Sequence, residues 1–322
     1  MRALITGITG FAGSHLAEFL LGKKGLEVVG VGRMPRDRAA QGRLRPFFGK
    51  IAYVEADIAD FSGMRRVLKK FRPERIFHLA GVSSVRESWK DPARTLHVNV
   101  QSQLGIFEAV RGLGLRSRIH VAGSSEVYGD VPDGRRSIGE GAPFRPFTPY
   151  GVSKAAQDLL VYQYFRSFRL PAVATRAFPH AGPGQDEGFV ASNFARQIAL
   201  IEAGKQEPVL RVGNLRLVRD FTDVRDTVRA YWMALEKGDP GQSYNVCRGE
   251  GIPLRRIVEV YLKASFVKVK VVVDRQRLRT NEPPRLVGDS SKLRERTGWR
   301  PLIGTRTTLV DLLNYWRGEI GR

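Results

Sequence analysis

The segment Thr6-Gly7-Ile8-Thr9-Gly10-Phe11-Ala12-Gly13 constrains this chain more than any other. It follows a short apolar run, Arg2–Thr6, that reads as a buried strand. It opens an apolar-periodic stretch over about residues 12–21 that reads as a helix. Glycines at 7, 10 and 13 permit a tight turn, close approach of a pyrophosphate to backbone N–H groups, and close packing of helix on strand. The spacing is G-x-x-G-x-x-G rather than the G-x-G-x-x-G of typical dehydrogenases. Taken alone, such a segment is also compatible with a purely structural turn.

The same alternation continues. Short apolar strands are expected at 28–31, Ile51–Glu55, 75–79, 119–122 and 172–176, separated by helical patterns at 63–71, 96–113 and Pro149–Phe168. Strands spaced by helices imply a parallel sheet covered on both faces, so the fold class is α/β, a doubly wound (Rossmann-like) sheet. After Arg176 the alternation breaks down. Glycine and proline cluster at 179–184, helices follow near 189–203 and 225–236, and 253–322 reads as α+β with a strand at 268–273 and a closing helix at 308–317. We therefore expect a cofactor-binding domain over 1–176, with 216–247 returning to it. A smaller α+β substrate domain is expected over 177–215 and 248–322, capping the crevice above the strand ends.

With 322 residues the chain can bury a large core. Its 53 basic and 32 acidic residues give a net charge of +21. That excess is spread along the chain, with mild clusters at 33–45 and 268–300, and lacks a basic tail, zinc spacing or RNA-binding box. Nucleic acid is not expected as the main partner; an enzyme that handles phosphorylated ligands also benefits from positive potential, and the arginine-rich composition fits growth at high temperature or a GC-rich genome equally. Apolar runs are too short to span a bilayer, and with the first residues reading as a strand no signal peptide is expected. The lone Cys247 excludes an internal disulfide, reads as a small buried residue and suits the cytoplasm.

Tyr150 precedes Lys154 by one helical turn, which places a phenol and an ammonium on one face. The cation is expected to stabilise phenolate, so the phenol can exchange a proton near neutral pH. Ser124-Ser125-Glu126 lies upstream. At the end of the second strand an acidic residue would bind a ribose 2′-hydroxyl; instead the chain reads Val31-Gly32-Arg33 with Arg36 close behind. Guanidinium suits a 2′-phosphate, which favours NADP(H) over NAD(H) and leaves acceptance of NADH open. Asp57-Ile58, after the third strand, is placed for the adenine edge; a solvated Arg33 and an exposed turn at Asp57 are the plain alternatives.

Gly7–Gly13 (residues 7–13), His78-Leu79-Ala80-Gly81, Tyr150 with Lys154, and Arg219-Asp220-Phe221-Thr222-Asp223-Val224-Arg225-Asp226 together resemble the extended short-chain dehydrogenase/reductase superfamily. Gly123-Ser124-Ser125-Glu126, Gly182-Pro183-Gly184-Gln185, Val212-Gly213-Asn214-Leu215, Tyr244-Asn245-Val246-Cys247 and Gly298-Trp299-Arg300-Pro301 extend the likeness to its nucleotide-sugar branch. Within that branch the chain most resembles the GDP-6-deoxy-4-keto-mannose reductases that form GDP-D-rhamnose, sisters of the GDP-mannose 4,6-dehydratases.

The resemblance implies roles. Tyr150 would deliver a proton to the sugar O4, Lys154 would hold the nicotinamide ribose and lower the phenol pKa, and Ser124 would hydrogen-bond the same oxygen. Gly7, Gly10, Phe11, Gly13, Arg33, Asp57, Ile58, Leu79 and Ala80, with Tyr150 and Lys154, would line the NADP(H) site. Ser83, Ser84, Asn193, Arg219, Arg279 and Glu282 would meet the GDP-linked hexose. No metal is implied. His78 and His180 read as structural, and His15 as a neighbour of the cofactor. Glu126 occupies the position at which dehydratases carry the carboxylate that drives loss of water, so dehydration stays open beside reduction of a 4-keto group. Epimerisation and a non-catalytic dinucleotide sensor are further alternatives, the last weakened by the Tyr/Lys pair. Phe178-Pro179-His180 departs from the family's Phe-Asn-His, where the asparagine is expected to contact substrate. A homodimer is implied, formed through helices 96–113 and 149–168.

Overall fold

The computed structural model describes residues 1–129, 137–278 and 283–321. Its centre is a seven-stranded parallel sheet. The strands are β1 (Arg2–Thr6), β2 (Glu27–Gly32), β3 (Ile51–Glu55), β4 (Arg75–His78), β5 (Arg118–Ala122), β6 (Ala172–Ala177) and β7 (Ser243–Val246), in the order β7-β6-β5-β4-β1-β2-β3. The order reverses between β1 and β4, which opens a crevice at the carboxyl ends of those two strands.

Alternate residues of each strand face opposite layers. Ala3 and Ile5 pack with Leu16, Leu20, Val228 and Tyr231 beneath α1 (Phe11–Leu21) and a helix over Val224–Lys237. Leu4, Val29 and Ile76 pack with Leu68, Phe107 and Val161 beneath α2 (Phe61–Phe71), α3 (Ser102–Gly112) and α4 (Pro149–Phe168). Two-sided burial explains why these strands read as continuous apolar runs.

Helix ends follow local chemistry. The Asp60 side chain accepts from Gly63 N at 2.9 Å to start α2, and Arg72 ends it in the left-handed region at φ 43°. Thr148 accepts from Gly151 N at 2.9 Å, and Pro149 takes the first position of α4, where a missing N–H costs nothing. The expected single helix over 96–113 is instead a short helix (Pro92–Leu96), a wide π turn (His97–Gln101) and then α3. The wide turn carries buried Asn99, whose side chain accepts from Val82 N (2.7 Å) and donates to Val82 O (3.1 Å) and Ser153 Oγ (2.8 Å). Such bulges recur where a helix must present a group inward.

The rest of the chain builds a third core from α5 (Val190–Glu202), helices Leu254–Ala264 and Thr305–Ile320, and strands Val209–Val212 and Lys270–Val273. The last strand starts later than expected because Ser265 and Val267 close a local turn and leave Phe266 exposed. Among the described residues no helix is long and apolar enough to cross a membrane.

Candidate functional site

The glycine turn lies in the crevice between β1 and β4. Gly7 has φ +73°, and a Cβ there would meet the Ala80 backbone at 2.9 Å; one at Gly13 would collide with the Gly7 carbonyl. The turn thus requires glycine for its backbone and for the approach of the Leu79-Ala80 segment. Gly10 stands at the N-cap of α1 and offers no side-chain acceptor. The first-turn N–H groups, beginning at Phe11, are therefore available to an anion, with the positive end of the helix dipole behind them. Thr6 Oγ1 ties the floor together, accepting from Ala80 N at 3.2 Å and pairing with His78 Nδ1 at 2.9 Å. These features fit a dinucleotide pyrophosphate.

At the far end of β2, exposed Arg33 has no hydrogen bond or ion pair among the described residues. Arg36 is more committed: it donates to Tyr53 O (3.3 Å) and its guanidinium stands 5.3 Å over the Phe48 ring. Asp57 is exposed and accepts from Ala59 N at 2.9 Å in a local turn, while Ile58 is buried in the core.

Ser124 follows β5, and Tyr150 stands in the first turn of α4. Close packing joins them, since a Cβ on Gly151 would meet the Glu126 carbonyl at 2.7 Å. The buried Ser124 hydroxyl is the neighbour that holds the Tyr150 phenol's pKa down, and it accepts from Glu126 N at 3.2 Å. Burial pushes the phenol up to about 12, the Glu126 charge adds to the rise, and only Ser124 opposes it. Lys154 is 6% exposed. Its ammonium donates to Ala122 O (2.8 Å) and Gln157 Oε1 (2.9 Å) and lies 5.8 Å from the Tyr150 ring centroid. Desolvation lowers it to about 8. Burial thus outweighs everything that would lower the phenol, and the ammonium spends its hydrogen bonds on a carbonyl and an amide rather than on the phenol oxygen. The arrangement holds a protonated phenol against a second hydroxyl, ready to give a proton to an oxygen bound between them.

Below the site, His78 and His120 are buried and pushed down to about 3 by desolvation, with the nearby Lys154 charge contributing. Both are neutral structural groups: His78 also pairs with Ser102 Oγ (3.3 Å), and His120 with Thr175 Oγ1 (2.9 Å). His15 Nε2 donates to Pro183 O at 2.8 Å. Phe11 stacks on His180 with centroids 5.8 Å apart and rings 6° from parallel. This contact links the cofactor turn to the chain leading into the third core.

The expected substrate residues are less gathered. Ser83 is exposed, whereas the Ser84 hydroxyl caps a short helix by accepting from Glu87 N at 3.2 Å. Asn193 stands on α5, half-buried. Arg219 donates to Val218 O and Pro283 O, both at 2.9 Å. Arg279 and Glu282 lie outside the described residues. Pro179 contributes its carbonyl, accepting from Thr222 N at 3.0 Å.

Several supports escaped the sequence reading. Gln157 and the Ala122 carbonyl hold Lys154, and Asn99 joins the 82–84 loop to α4. An isolated asparagine in the apolar run Leu96-His97-Val98-Asn99-Val100 was the available signal. The carboxylates of Arg219–Asp226 (residues 219–226) are keystones. Asp220 accepts from Arg248 N and Gly249 N, each at 2.9 Å, although burial holds its carboxyl up at about 6. Asp226 accepts from Leu302 N and Ile303 N, each at 2.8 Å.

The sequence profile of the GDP-mannose 4,6 dehydratase family matches residues 4–312. A GDP-6-deoxy-D-mannose reductase of Pseudomonas aeruginosa is 32% identical over 320 residues, covering 99% of this chain and 98% of the relative. GDP-mannose 4,6 dehydratase 2 of Arabidopsis thaliana is 34% identical over 318 residues, covering 94% of this chain and 83% of the relative. Among solved structures, RMD from Pseudomonas aeruginosa complexed with NADPH superposes with a TM-score of 0.86 at 30% identity, covering 99% of both chains. The UDP-glucose 4-epimerase of Thermotoga maritima with UDP-glucose gives 0.89 at 26% identity, covering 99% and 100%. A Rossmann-like sheet with its glycine turn at the switch point, and a Ser/Tyr/Lys group beside it, are thus carried by a chain that belongs to the GDP-mannose 4,6-dehydratase family.

Proposed function

We propose that the protein reduces the 4-keto group of GDP-4-keto-6-deoxy-D-mannose with NADPH to give GDP-D-rhamnose. The observation that carries this reading is the grouping of the Tyr150 phenol with Ser124 and with the Lys154 ammonium, which is anchored on Ala122 O at the carboxyl end of β5. Reduction of a ketone needs an acid at the oxygen in every turnover, and a phenol at about 12 retains its proton until negative charge develops on that oxygen. When bound, NADPH supplies the hydride for C4. Gly7, Gly10 and Gly13 with the α1 N-terminus hold the pyrophosphate, and Arg33 takes the 2′-phosphate. Ser124 and Tyr150 orient the keto oxygen, and Tyr150 delivers the proton and regains one readily because its pKa is high. Lys154, fixed by Ala122 O and Gln157, holds a ribose hydroxyl. Ser83, Asn193 and Arg219 meet the sugar nucleotide on the 177–215 and 248–322 side of the crevice. The lone buried thiol of Cys247 suits a cytoplasmic setting. Exposed Val152, Leu159 and Tyr162 on α4 support a homodimer.

The reductase relative, 32% identical and covered over 98% of its length, supports reduction, while dehydratase relatives of similar identity keep dehydration as the second reading. Glu126, whose charge reaches Tyr150, favours the second reading, a GDP-mannose 4,6-dehydratase. Purified protein given the 4-keto sugar nucleotide and NADPH should oxidise NADPH one-for-one with formation of a GDP-6-deoxyhexose. Inertness there, with conversion of GDP-mannose in the presence of NADP, would replace reduction by dehydration.

A further inference from the structure

We propose that Gln197 and Arg277 are positioning residues that turn the side-chain amide of Asn193 into an obligatory donor, aimed at a phosphate oxygen of the substrate's diphosphate. The inference rests on the reading of Asn193 as a substrate residue and adds the device that sets its polarity.

An asparagine amide can face a ligand with its oxygen or its nitrogen, and the neighbours decide which. Two independent anchors decide it here. Arg277 Nη1 lies 2.8 Å from Asn193 Oδ1, and a guanidinium has only donors, so the atom facing it must be the oxygen. On the other side, Gln197 is fixed by the backbone of Val209–Val212: its Oε1 accepts from Arg211 N at 2.9 Å and its Nε2 donates to Arg211 O at 3.0 Å. The same Nε2 donates its second hydrogen to Asn193 Oδ1 at 2.8 Å. Both lone pairs of that oxygen are then taken. Asn193 Nδ2 gives one N–H to Glu187 O at 3.3 Å, which leaves the other for a ligand.

A donor-only amide beside a guanidinium selects an anionic acceptor, and a phosphate oxygen is the acceptor a sugar nucleotide carries. Asp274 Oδ2, 3.3 Å from Arg277 Nε, holds the guanidinium in place. A Cβ on Gly213 would meet Arg277 O at 2.8 Å, so the turn bearing Arg277 is seated against the end of the strand that fixes Gln197. The opposite amide orientation would present an oxygen to the phosphate and repel it.

The test uses the full chain, with GDP and NADPH titrated separately and turnover measured on the 4-keto sugar nucleotide. Arg277 is exposed, so Arg277→Met tests it without disturbing a core. We expect about a tenfold weaker GDP affinity and a matching rise in KM, the scale of one charge-assisted hydrogen bond, with kcat and NADPH affinity unchanged. Gln197→Glu keeps the acceptor for Arg211 N but removes the donor to Asn193, and should act in the same direction; if it does not fold, Arg277→Met decides. Arg277→Lys, which retains a donor, should restore most of the affinity. In an Asn193→Ala background Arg277→Met should have no further effect on GDP affinity, because Arg277 acts through Asn193. A persisting effect there would mean that Arg277 touches the phosphate itself, and would overturn the positioning role. Weak GDP binding by Asn193→Ala with normal binding by Arg277→Met would overturn the proposal and leave Asn193 a ligand. Normal GDP binding by Asn193→Ala would overturn both.

Discussion

The Lys154 ammonium lies under the Tyr150 ring, 5.8 Å from its centroid, and spends two of its hydrogen bonds on Ala122 O and Gln157 Oε1 rather than on the phenol. Ser124 is the neighbour that opposes the rise in the phenol's pKa. The two halves of the Tyr/Lys pair therefore have different partners in the fold.

Tyr150→Phe removes the proton and leaves the ring and its packing. Turnover should fall by about 10²–10⁴-fold, the usual contribution of a positioned general acid. NADPH affinity, read by fluorescence titration, should stay within a few-fold of the parent. Near-normal turnover would take Tyr150 out of the mechanism.

Lys154 has a pH signature in stability. Its pKa falls from 10.5 to about 8 in the fold through desolvation. Below about pH 8 both folded and unfolded chains carry the charge, and the folded chain bears its full desolvation cost. Between about 8 and 10.5 the folded chain releases its proton first, so the unfolded chain binds more protons and this group's contribution to stability rises with pH. Lys154→Met removes the titration. Relative to the parent, the variant should be more stable at pH 7 than at pH 10, by about 1–3 kcal/mol in urea unfolding. An identical difference at the two pH values contradicts the burial of that charge.

Arg33 stands unpaired among the described residues at the end of β2. Arg33→Asp should shift preference from NADPH towards NADH by about tenfold or more, since it replaces a phosphate partner by a repelling carboxylate. An unchanged ratio of kcat/KM for the two cofactors would refute the 2′-phosphate role.

Asp158 and Arg176 form a buried ion pair, with Arg176 Nε and Nη2 each 2.9 Å from a carboxylate oxygen. Asp158→Ala leaves the guanidinium buried without its counter-charge and should cost about 3–5 kcal/mol. The double variant Asp158→Leu/Arg176→Met should recover most of that loss. A double variant no better than Asp158→Ala would show that the pair's worth lies in packing or in the Arg176 contacts to Tyr128 and Glu140.

The Rossmann-like half was legible because a strand buried on both faces is apolar at every position, and because Gly7 and Gly13 announce a turn that no other residue fits. Helix α4 spans the expected Pro149–Phe168, with Thr148-Pro149 a local start signal, while its left-handed end at Arg169 carries no residue-type signal. The break at His97–Gln101 was not, because it answers to Asn99 bonding Val82 and Ser153, which are remote in sequence. The same holds for the site. Residue types at 124, 150 and 154 were readable from spacing, but the direction of the Lys154 ammonium depends on a β5 carbonyl and on Gln157, and the polarity of Asn193 on Gln197 and Arg277. Ser84 read as a pocket residue, and the structure adds that its hydroxyl also caps a helix by accepting from Glu87 N, which leaves its own O–H to give. Such assignments need three-dimensional neighbours.

The central claim is net transfer of hydride from NADPH to C4 of a GDP-linked keto sugar. Its most direct test is the reaction of GDP-4-keto-6-deoxymannose with NADPH deuterated at the nicotinamide C4, the reacting face being covered by using each stereoisomer in turn. Reduction predicts that one of the two isomers places deuterium at C4 of the GDP-6-deoxyhexose, one label per NADPH oxidised, as read by NMR. A product without deuterium from either isomer, or no product while GDP-mannose is converted with NADP recycled, would contradict the account.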